Sequence, residues 1–392
     1  SLPNLRHLKL SHSKNLIKMP YIGDALYLER IILKGCIRLE EIGLSIVHSR
    51  ELTFLNLKNC KSLIKLPQFG EDLILDVLNL EGCQKLRQID PSISRLKKLT
   101  YLNLKDCKSL IKLPQFGEDL ILDVLNLEGC QKLRQIDPSI GRLKKLTYLN
   151  LKYCKSLIKL SQFGEDLILK DLNLEGCQKL RQIDPSIGRL KKLTYLNLKN
   201  CKNLVSLPNS ILGLNSLWYL NLSGCSKLYT TELLYELRHA EHLKQIDIDG
   251  APIHFQSTSS YSREHKNSVT CLMPYSPIFP CMRHLGLSFC NLVQIPDAIG
   301  IICCLEWLDL SGNNFATLPN LKKLSKLLCL KLQHCKQLKS LPELPSRIEE
   351  TRTVDRYFLN ARAGLNVFNC PELVDREGCT DMALSWMIQL SQ

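Results

Sequence analysis

Leucines recur along most of the chain in the pattern L-x-x-L-x-L-x-x-C, with polar residues at most of the positions between them. One example is formed by Leu75, Leu78, Leu80 and Cys83. The two leucines that stand two apart point to the same face of an extended strand, while the residues around them point to the other face. Each unit of 23 or 24 residues therefore predicts one short strand with a leucine face and a polar face.

The same spacing defines fourteen units, and a single strand of this kind cannot bury its leucines alone. Parallel strands stacked about 4.8 Å apart would build a continuous leucine core. We therefore predict an α/β solenoid: a horseshoe with one parallel sheet of about fourteen strands on its concave side. Short turns or single helical turns are expected on the convex side, because Leu-Pro and Asp-Pro steps favour extended backbone. The units begin at Leu5, Leu28, Leu52, Leu75, Leu99, Leu122, Leu146, Leu169, Leu193, Leu217, Leu243, Met282, Leu305 and Leu327.

A 47-residue block that holds two units is present three times, at residues 61–107, 108–154 and 155–201. The copies differ at few positions, and most of the changes fall where side chains are predicted to point away from the leucines: Asp106/Tyr153/Asn200, Asp123/Lys170 and Val124/Asp171. Such changes suit a binding face, although drift that spares the core would give the same pattern.

The repeat units divide the chain into four segments. Units fill residues 1–250, and a helix is predicted at residues 231–239 within them. Residues 251–281 are longer than a normal connection and rich in Ser and Pro, so they are predicted to be an inserted loop. Units resume over residues 282–345. Residues 346–392 break the period and are predicted to form a C-terminal cap or the root of a further domain.

Cysteine occupies the ninth position of eleven units, where a small polar residue is expected to bond the backbone as the chain leaves the strand. These residues predict a structural ladder rather than reactive thiols. Seven other cysteines form no C-x-x-C pair, so no metal site is expected. Buried reduced thiols suit a reducing compartment. The ladder cysteines are Cys36, Cys60, Cys83, Cys107, Cys130, Cys154, Cys177, Cys201, Cys225, Cys290 and Cys335; the others are Cys271, Cys281, Cys303, Cys304, Cys329, Cys370 and Cys379.

The chain carries a net charge of +14, and the motif RLKKL at residues 95–99, 142–146 and 189–193 contributes part of it. One interpretation is a basic stripe for nucleic acid or an acidic partner. The other is a solvated convex face with extended lysine stems. No aromatic residues lie between these lysines for base stacking, which favours the second interpretation and disfavours nucleic acid as a partner. No apolar run is long enough to span a membrane.

The repeat pattern is followed by HCKQLKSLPELPSRIEE at residues 334–350, NVFNCPELVDREGC at 366–379 and SWMIQLSQ at 385–392. Together these segments resemble the leucine-rich-repeat region of plant intracellular immune receptors, most closely the legume class with TIR and nucleotide-binding domains. The resemblance implies a disease-resistance role in the cytoplasm, or also in the nucleus. It implies a partner that is a pathogen effector or a guarded host protein, and restraint of a nucleotide-binding domain in the same chain.

The sequence also departs from such receptors. It has no G-x-x-x-x-G-K-[ST] motif and no TIR domain, and it begins inside a repeat. We therefore expect a fragment that is not an enzyme and binds no cofactor. The alternative is a general intracellular scaffold or a substrate-recognition adaptor of the ubiquitin-ligase type.

Side chains on the polar strand face are the candidate binding residues. They form an aromatic column, an asparagine column and a column that alternates Lys and Glu; the last two are expected to satisfy themselves, with Asn laddered on Asn and Lys paired with Glu. Aromatic residues are typical interface anchors, although tyrosine also has a high strand propensity. The candidate residues are Phe54, Tyr101, Tyr148, Tyr195, Trp218, Tyr219, Lys244, Asp247, Arg283, His284, Glu306, Trp307 and Asp309.

Overall fold

The computed structural model describes residues 4–22, 25–43, 49–228, 237, 240–251, 279–345 and 364–374. Among them, fifteen short strands follow one another in chain order in a parallel sheet, which confirms the predicted solenoid. The chain forms two compact units, residues 1–214 and residues 215–392.

The first unit contains β1 (His7–Lys9), β2 (Arg30–Ile32), β3 (Phe54–Asn56), β4 (Val77–Asn79), β5 (Tyr101–Asn103), β6 (Val124–Asn126), β7 (Tyr148–Asn150), β8 (Asp171–Asn173) and β9 (Tyr195–Asn197). The second contains β10 (Tyr219–Asn221), β11 (Gln245–Asp247), β12 (His284–Gly286), β13 (Trp307–Asp309), β14 (Cys329–Lys331) and β15 (Gly364–Asn366).

The leucine core has the predicted composition. Leu55 at the centre of β3 and Leu57 just after it are both 0% exposed. The central residues of neighbouring strands stand opposite one another, for example Leu78 and Leu102. Each strand therefore buries its leucines against the strand before and the strand after it.

The last strand was missed by the sequence analysis, which counted fourteen units. β15 pairs with β14 in the common register, with Leu365 opposite Leu330. The unit escaped notice because Arg362 stands where its first leucine is expected. The wider assignment of residues 346–392 as a cap stays a prediction. The predicted loop at 251–281, the predicted helix at 231–239 and most of 346–392 lie outside the described residues.

The segments that connect the strands contain short 3-10 helices instead of long α-helices, as expected. In the triplicated block each helix follows an Asp-Pro-Ser sequence. Asp137 accepts a hydrogen bond from the backbone N–H of Ser139 at 2.9 Å and so caps the helix. The Ser139 hydroxyl in turn accepts from the backbone N–H of Phe116 in the preceding repeat at 2.8 Å. The described 3-10 helices are Pro91–Arg95, Pro138–Arg142, Pro185–Arg189, Asn209–Gly213 and Asp297–Ile301.

The cysteine ladder is confirmed, and its bond links neighbouring repeats. The thiol of Cys130 donates to the carbonyl of Leu104, the last core leucine of the preceding unit, at 3.2 Å. Most ladder cysteines make the equivalent bond, and Cys370 makes it to Leu332 at 3.0 Å, so Cys370 also belongs to the ladder. Asn313 occupies the same position, is 0% exposed and makes more hydrogen bonds than a ladder cysteine does. Its side chain donates to Leu287 and Leu310 and accepts from the backbone of Cys290 and Leu292.

Burial should make the ladder thiols unreactive in the native protein. It raises the pKa of Cys83, Cys130 and Cys177 well above the usual range, so almost no thiolate is present near neutral pH. We expect an aromatic disulfide reagent at pH 8 to label the exposed Cys281 and Cys303 quickly and to leave these three untouched. Mass spectrometry of the digested protein reads out each site. Unfolding in denaturant should expose all of them, and fast native labelling of Cys130 would contradict the ladder.

Candidate functional site: the outer face of the sheet

The face opposite the leucines, called here the outer sheet face, is formed by the first and third residues of each strand and by the second residue after it. In residues 1–214 the strands place the predicted first column in register, and its members are half-buried: Phe54, Val77, Tyr101, Val124, Tyr148, Asp171 and Tyr195. Burial raises the pKa of Tyr148, and the neighbouring Asp171 carboxylate adds to the shift. Burial also raises the pKa of Asp171. This column is therefore a partly desolvated surface.

The asparagine column satisfies itself, but not by the bonds expected. Asn150 accepts a hydrogen bond from the backbone N–H of Lys152, two residues later, at 3.0 Å, and so ends its own strand. It also donates to Glu128 at 3.2 Å. The prediction that asparagines ladder on one another was wrong, because the strands are only three residues long and their ends need a side-chain acceptor.

The charged column pairs as predicted. Three salt bridges join successive repeats: Lys58–Glu81 at 2.9 Å, Lys105–Glu128 at 3.2 Å and Lys152–Glu175 at 2.9 Å. Most of the charge on this part of the outer sheet face is therefore neutralised internally.

In residues 215–392 the outer sheet face holds a connected cluster around Trp307. The indole stacks on the His284 imidazole with 5.4 Å between ring centroids and 9° between planes. The Lys331 ammonium lies 4.5 Å from the centroid of the indole and 3.6 Å from Asp309. Trp307 is half-buried by these neighbours and keeps part of its ring accessible. Its orientation is therefore fixed by contacts to strands on both sides.

The cluster continues through a buried carboxylate. His284 Nε2 lies 3.1 Å from Asp247 Oδ1, and Gln245 donates to Asp247 Oδ2 at 2.8 Å. Asn221 donates both to Asp247, at 3.4 Å, and to the Tyr219 hydroxyl, at 3.0 Å. Five of the predicted residues, namely Tyr219, Asp247, His284, Trp307 and Asp309, thus belong to one network of contacts.

Asp249 is an acidic neighbour that the sequence analysis did not select. Its Oδ1 accepts from both the backbone N–H and the hydroxyl of Ser288 at 2.7 Å. Burial is the largest cause of its raised pKa, and the nearby Asp247 adds to it. A Cβ at Gly286 would lie 2.8 Å from the Asp247 carboxylate and 3.2 Å from that of Asp249. The missing side chain at Gly286 therefore gives the two carboxylates room.

The remaining predicted residues of this unit flank the cluster. Arg283 and Glu306 form a salt bridge at 3.7 Å. Trp218 packs edge-on against Tyr219 with 5.8 Å between centroids, and Lys244 is exposed. Phe54, Tyr101, Tyr148 and Tyr195 lie in the other compact unit, residues 1–214.

Sequence reasoning missed two highly exposed aromatic side chains of residues 215–392. Phe289 is 59% exposed and Phe368 is 65% exposed, and both rings contact His334. Phe289 occupies the turn position before the ladder residue, where the backbone is left-handed with φ of 54°. Tyr153, 41% exposed, lies at the same position, so the changes at 106, 153 and 200 fall in the turn and not in the strand. The signal was present in the sequence, since Gly alternates with Asn, Asp or His at this position.

The basic RLKKL motif behaves as a solvated face. In each copy the arginine pairs with a glutamate of the preceding segment: Arg95–Glu71 at 3.9 Å, Arg142–Glu118 at 3.0 Å and Arg189–Glu165 at 3.9 Å. These pairs support the second of the two interpretations of the motif.

Comparisons with known proteins place these features in a family context. The family model for the leucine-rich repeat matches residues 304–324. TMV resistance protein N of Nicotiana glutinosa is 32% identical over 159 residues, which are 37% of this chain and 14% of that protein. Disease resistance-like protein DSC1 of Arabidopsis thaliana is 36% identical over 117 residues, which are 29% of this chain and 8% of that protein. This chain is a leucine-rich-repeat region distantly homologous to plant disease resistance proteins.

The structural comparison shows the fold of this leucine-rich-repeat region. A leucine-rich-repeat protein of Leptospira interrogans matches with a TM-score of 0.51 and 24% identity, over 85% of this chain and 91% of that one. The legume class expected from the sequence stays a prediction. Within the described part of the leucine-rich-repeat region, no helix is long and apolar enough to cross a membrane.

Two glycines test how the exposed turn residues are packed. Gly250 and Gly312 both have positive φ, of 67° and 69°. A Cβ at Gly250 would meet none of the described residues within 4 Å, whereas one at Gly312 would overlap the Phe289 ring. We expect Gly250→Ala to cost about 1 kcal/mol through backbone strain alone, and Gly312→Ala to cost more. Urea unfolding midpoints measure both.

The double variant F289N/G312A is the control. With the ring removed, the added cost of Ala at Gly312 should fall to that of Gly250→Ala. Equal costs for the two single variants would mean that the Phe289 ring does not rest on Gly312.

Proposed function

We propose that the outer sheet face of residues 215–345 is the protein-binding surface of a plant defence receptor. The observation that carries this proposal is the Trp307 ring, which stacks on His284 and lies in cation–π contact with Lys331. Hot spots in protein interfaces are enriched in Trp, Tyr and Arg, and a side chain that is already ordered loses little entropy on binding. The network around Trp307 supplies such a preformed anchor, with Arg283 and Glu306 beside it.

Under this proposal the partner is a pathogen effector or a host protein that an effector modifies. The same surface, or its neighbours, restrains the nucleotide-binding domain of the full receptor until the partner is bound. The distant homology to disease resistance proteins supports this role, as does the uneven distribution of surface chemistry. The triplicated block repeats nearly the same outward side chains, whereas β10 to β14 each present different ones. A cytoplasmic or nuclear location is part of the proposal.

Substitution of Trp307 tests the anchor. In the full-length gene product, Trp307→Ala should weaken recognition, because hot-spot truncations cost about 2 kcal/mol or more, roughly a thirtyfold loss of affinity. Trp307→Phe keeps a ring for the His284 stack and should retain most of the activity. Ion leakage from leaves that carry each variant, with and without a pathogen strain that the wild-type gene resists, separates lost recognition from lost restraint.

Tyr148→Ala is the matched control on the triplicated block. We expect it to leave both readouts near the wild-type level. If Trp307→Ala also leaves both readouts unchanged in a protein that accumulates normally, the surface assignment is wrong. If Tyr148→Ala instead abolishes recognition, the binding surface lies in residues 1–214.

A further inference from the structure

A second surface of the molecule carries almost all of its net charge. It comprises the five residues that follow the ladder cysteine in seven successive repeats, called here the basic flank: 61–65, 84–88, 108–112, 131–135, 155–159, 178–182 and 202–206. Each of the first six segments contains two Lys or Arg and the seventh contains one, which gives thirteen cations with no Asp or Glu. The net charge of the whole chain is +14.

The twelve cations of the first six segments are mostly without an ion pair in the described structure. Every Lys and Arg of the flank is exposed. Among the twelve cations of the first six segments, only Lys65 forms a salt bridge within the described structure, to Glu41 at 3.7 Å. On the outer sheet face three lysines pair with glutamates of neighbouring repeats, and in the RLKKL motifs the three arginines and Lys144 pair with acids. Like charges held a few ångströms apart repel one another, so a partner with negative charge would stabilise this surface.

An apolar stripe runs through the middle of the basic flank. Ile64, Ile111, Ile158 and Val205 are 54%, 48%, 48% and 38% exposed. They alternate with Arg87, Arg134 and Arg181, one residue per repeat. Backbone hydrogen bonds join every second pair of neighbours along this line, such as Ile111 N–H to Arg87 C=O at 3.0 Å and Ile158 N–H to Arg134 C=O at 2.9 Å. These pairs have the spacing of a parallel ladder, about 4.8 Å.

We infer that the basic flank docks an acidic amphipathic helix of a partner protein. A helix rises about 5.4 Å per turn, so one turn can face each repeat; an extended strand repeats the same face only every ~6.7 Å. The matching helix carries Asp or Glu on alternate turns, opposite the arginines, and Leu or Ile on the turns between, opposite the isoleucines. Seven repeats span about 29 Å, the length of roughly 20 helical residues.

Two other polyanions fit the surface less well. Single-stranded nucleic acid is usually held by aromatic side chains that stack on bases, and the flank segments contain none. An anionic membrane needs positive charge and apolar area on the protein but no fixed spacing between them. Membrane binding therefore does not account for the strict alternation of Ile and Arg. The inference concerns a surface separate from the outer sheet face and does not depend on the function proposed for that face.

The probe is a labelled 21-residue peptide with Glu and Leu on alternate turns of one face and Ala and Gln elsewhere. Fluorescence anisotropy with the whole chain at 150 mM salt measures its binding. The comparison peptide has the same composition in scrambled order. We expect the patterned peptide to bind at least tenfold more tightly than the scrambled one. Equal binding of the two peptides would overturn the helix-docking inference.

Matched charge reversals test the location. The triple variant Arg87→Glu, Arg134→Glu and Arg181→Glu should lower the affinity for the patterned peptide at least tenfold. The control, Lys98→Glu, Lys145→Glu and Lys192→Glu, changes the net charge equally on the RLKKL motifs and should alter it less than threefold. Equal losses in both variants would show a general charge effect and contradict a docking site. Far-ultraviolet circular dichroism confirms that both variants are folded.

The triple variant Ile64→Ser, Ile111→Ser and Ile158→Ser separates the classes of ligand. It should weaken the patterned peptide at least fivefold, because the apolar stripe is lost while every charge remains. A 20-nucleotide oligouridine and phosphatidylserine vesicles are the competing probes. If either one binds the wild-type chain more tightly than the peptide does, and loses that binding on reversal of the three arginines, the basic flank is a nucleic-acid or membrane surface instead.

Discussion

Each repeat can bury its leucines only against its neighbours, and the rest of the structure follows from this constraint. A strand of three residues offers too little leucine surface and too few hydrogen bonds to persist alone. The contacts that hold it therefore cross from one repeat to the next: the strand ladder, the bond from most ladder thiols to a core residue of the preceding unit, and the bond accepted by the serine of each Asp-Pro-Ser turn. Because these contacts occupy the inside and the turns, the side chains that face outward are free to differ.

The sequence was sufficient to predict the elements that repeat. The leucine spacing predicted the strands and their buried face, and the recurring Cys predicted the ladder. Each is a local pattern that one physical arrangement explains. Prediction from the sequence failed where a single unit breaks the pattern: β15 was missed because Arg362 replaces the first leucine of its unit. The wrong hydrogen-bond partners were also predicted for the asparagines, since the bond that Asn150 accepts from the N–H of Lys152 depends on where a strand ends. Exposure was misjudged for Trp307, which side chains of the two neighbouring repeats partly cover.

Two types of unit alternate within the triplicated block, and this alternation has an electrostatic and a steric explanation. Neighbouring repeats stand about 4.8 Å apart, and like charges directly opposite one another destabilise a sheet. Alternation of Lys and Glu in successive units turns repulsion into the pairs Lys105–Glu128 and Lys152–Glu175. In the turns, the ring of Tyr153 covers Gly176 of the next unit, where a Cβ would meet it at 2.5 Å. Duplication of a single unit would stack lysine on lysine and leave no glycine beneath the tyrosine.

The basic flank does not alternate between positive and negative charge in successive units, unlike the outer sheet face. The same duplication that balanced the outer sheet face set Lys and Arg beside Lys and Arg in every copy of the flank. The other polar positions of these segments hold Ser, Gln or Asn, so no acid within a segment balances its cations. An unneutralised row of cations costs stability in the isolated solenoid, and the exposed isoleucines along it add an unfavourable contact with water. A bound acidic helix would remove both costs at once, because its carboxylates and leucines recur at nearly the spacing of the repeats.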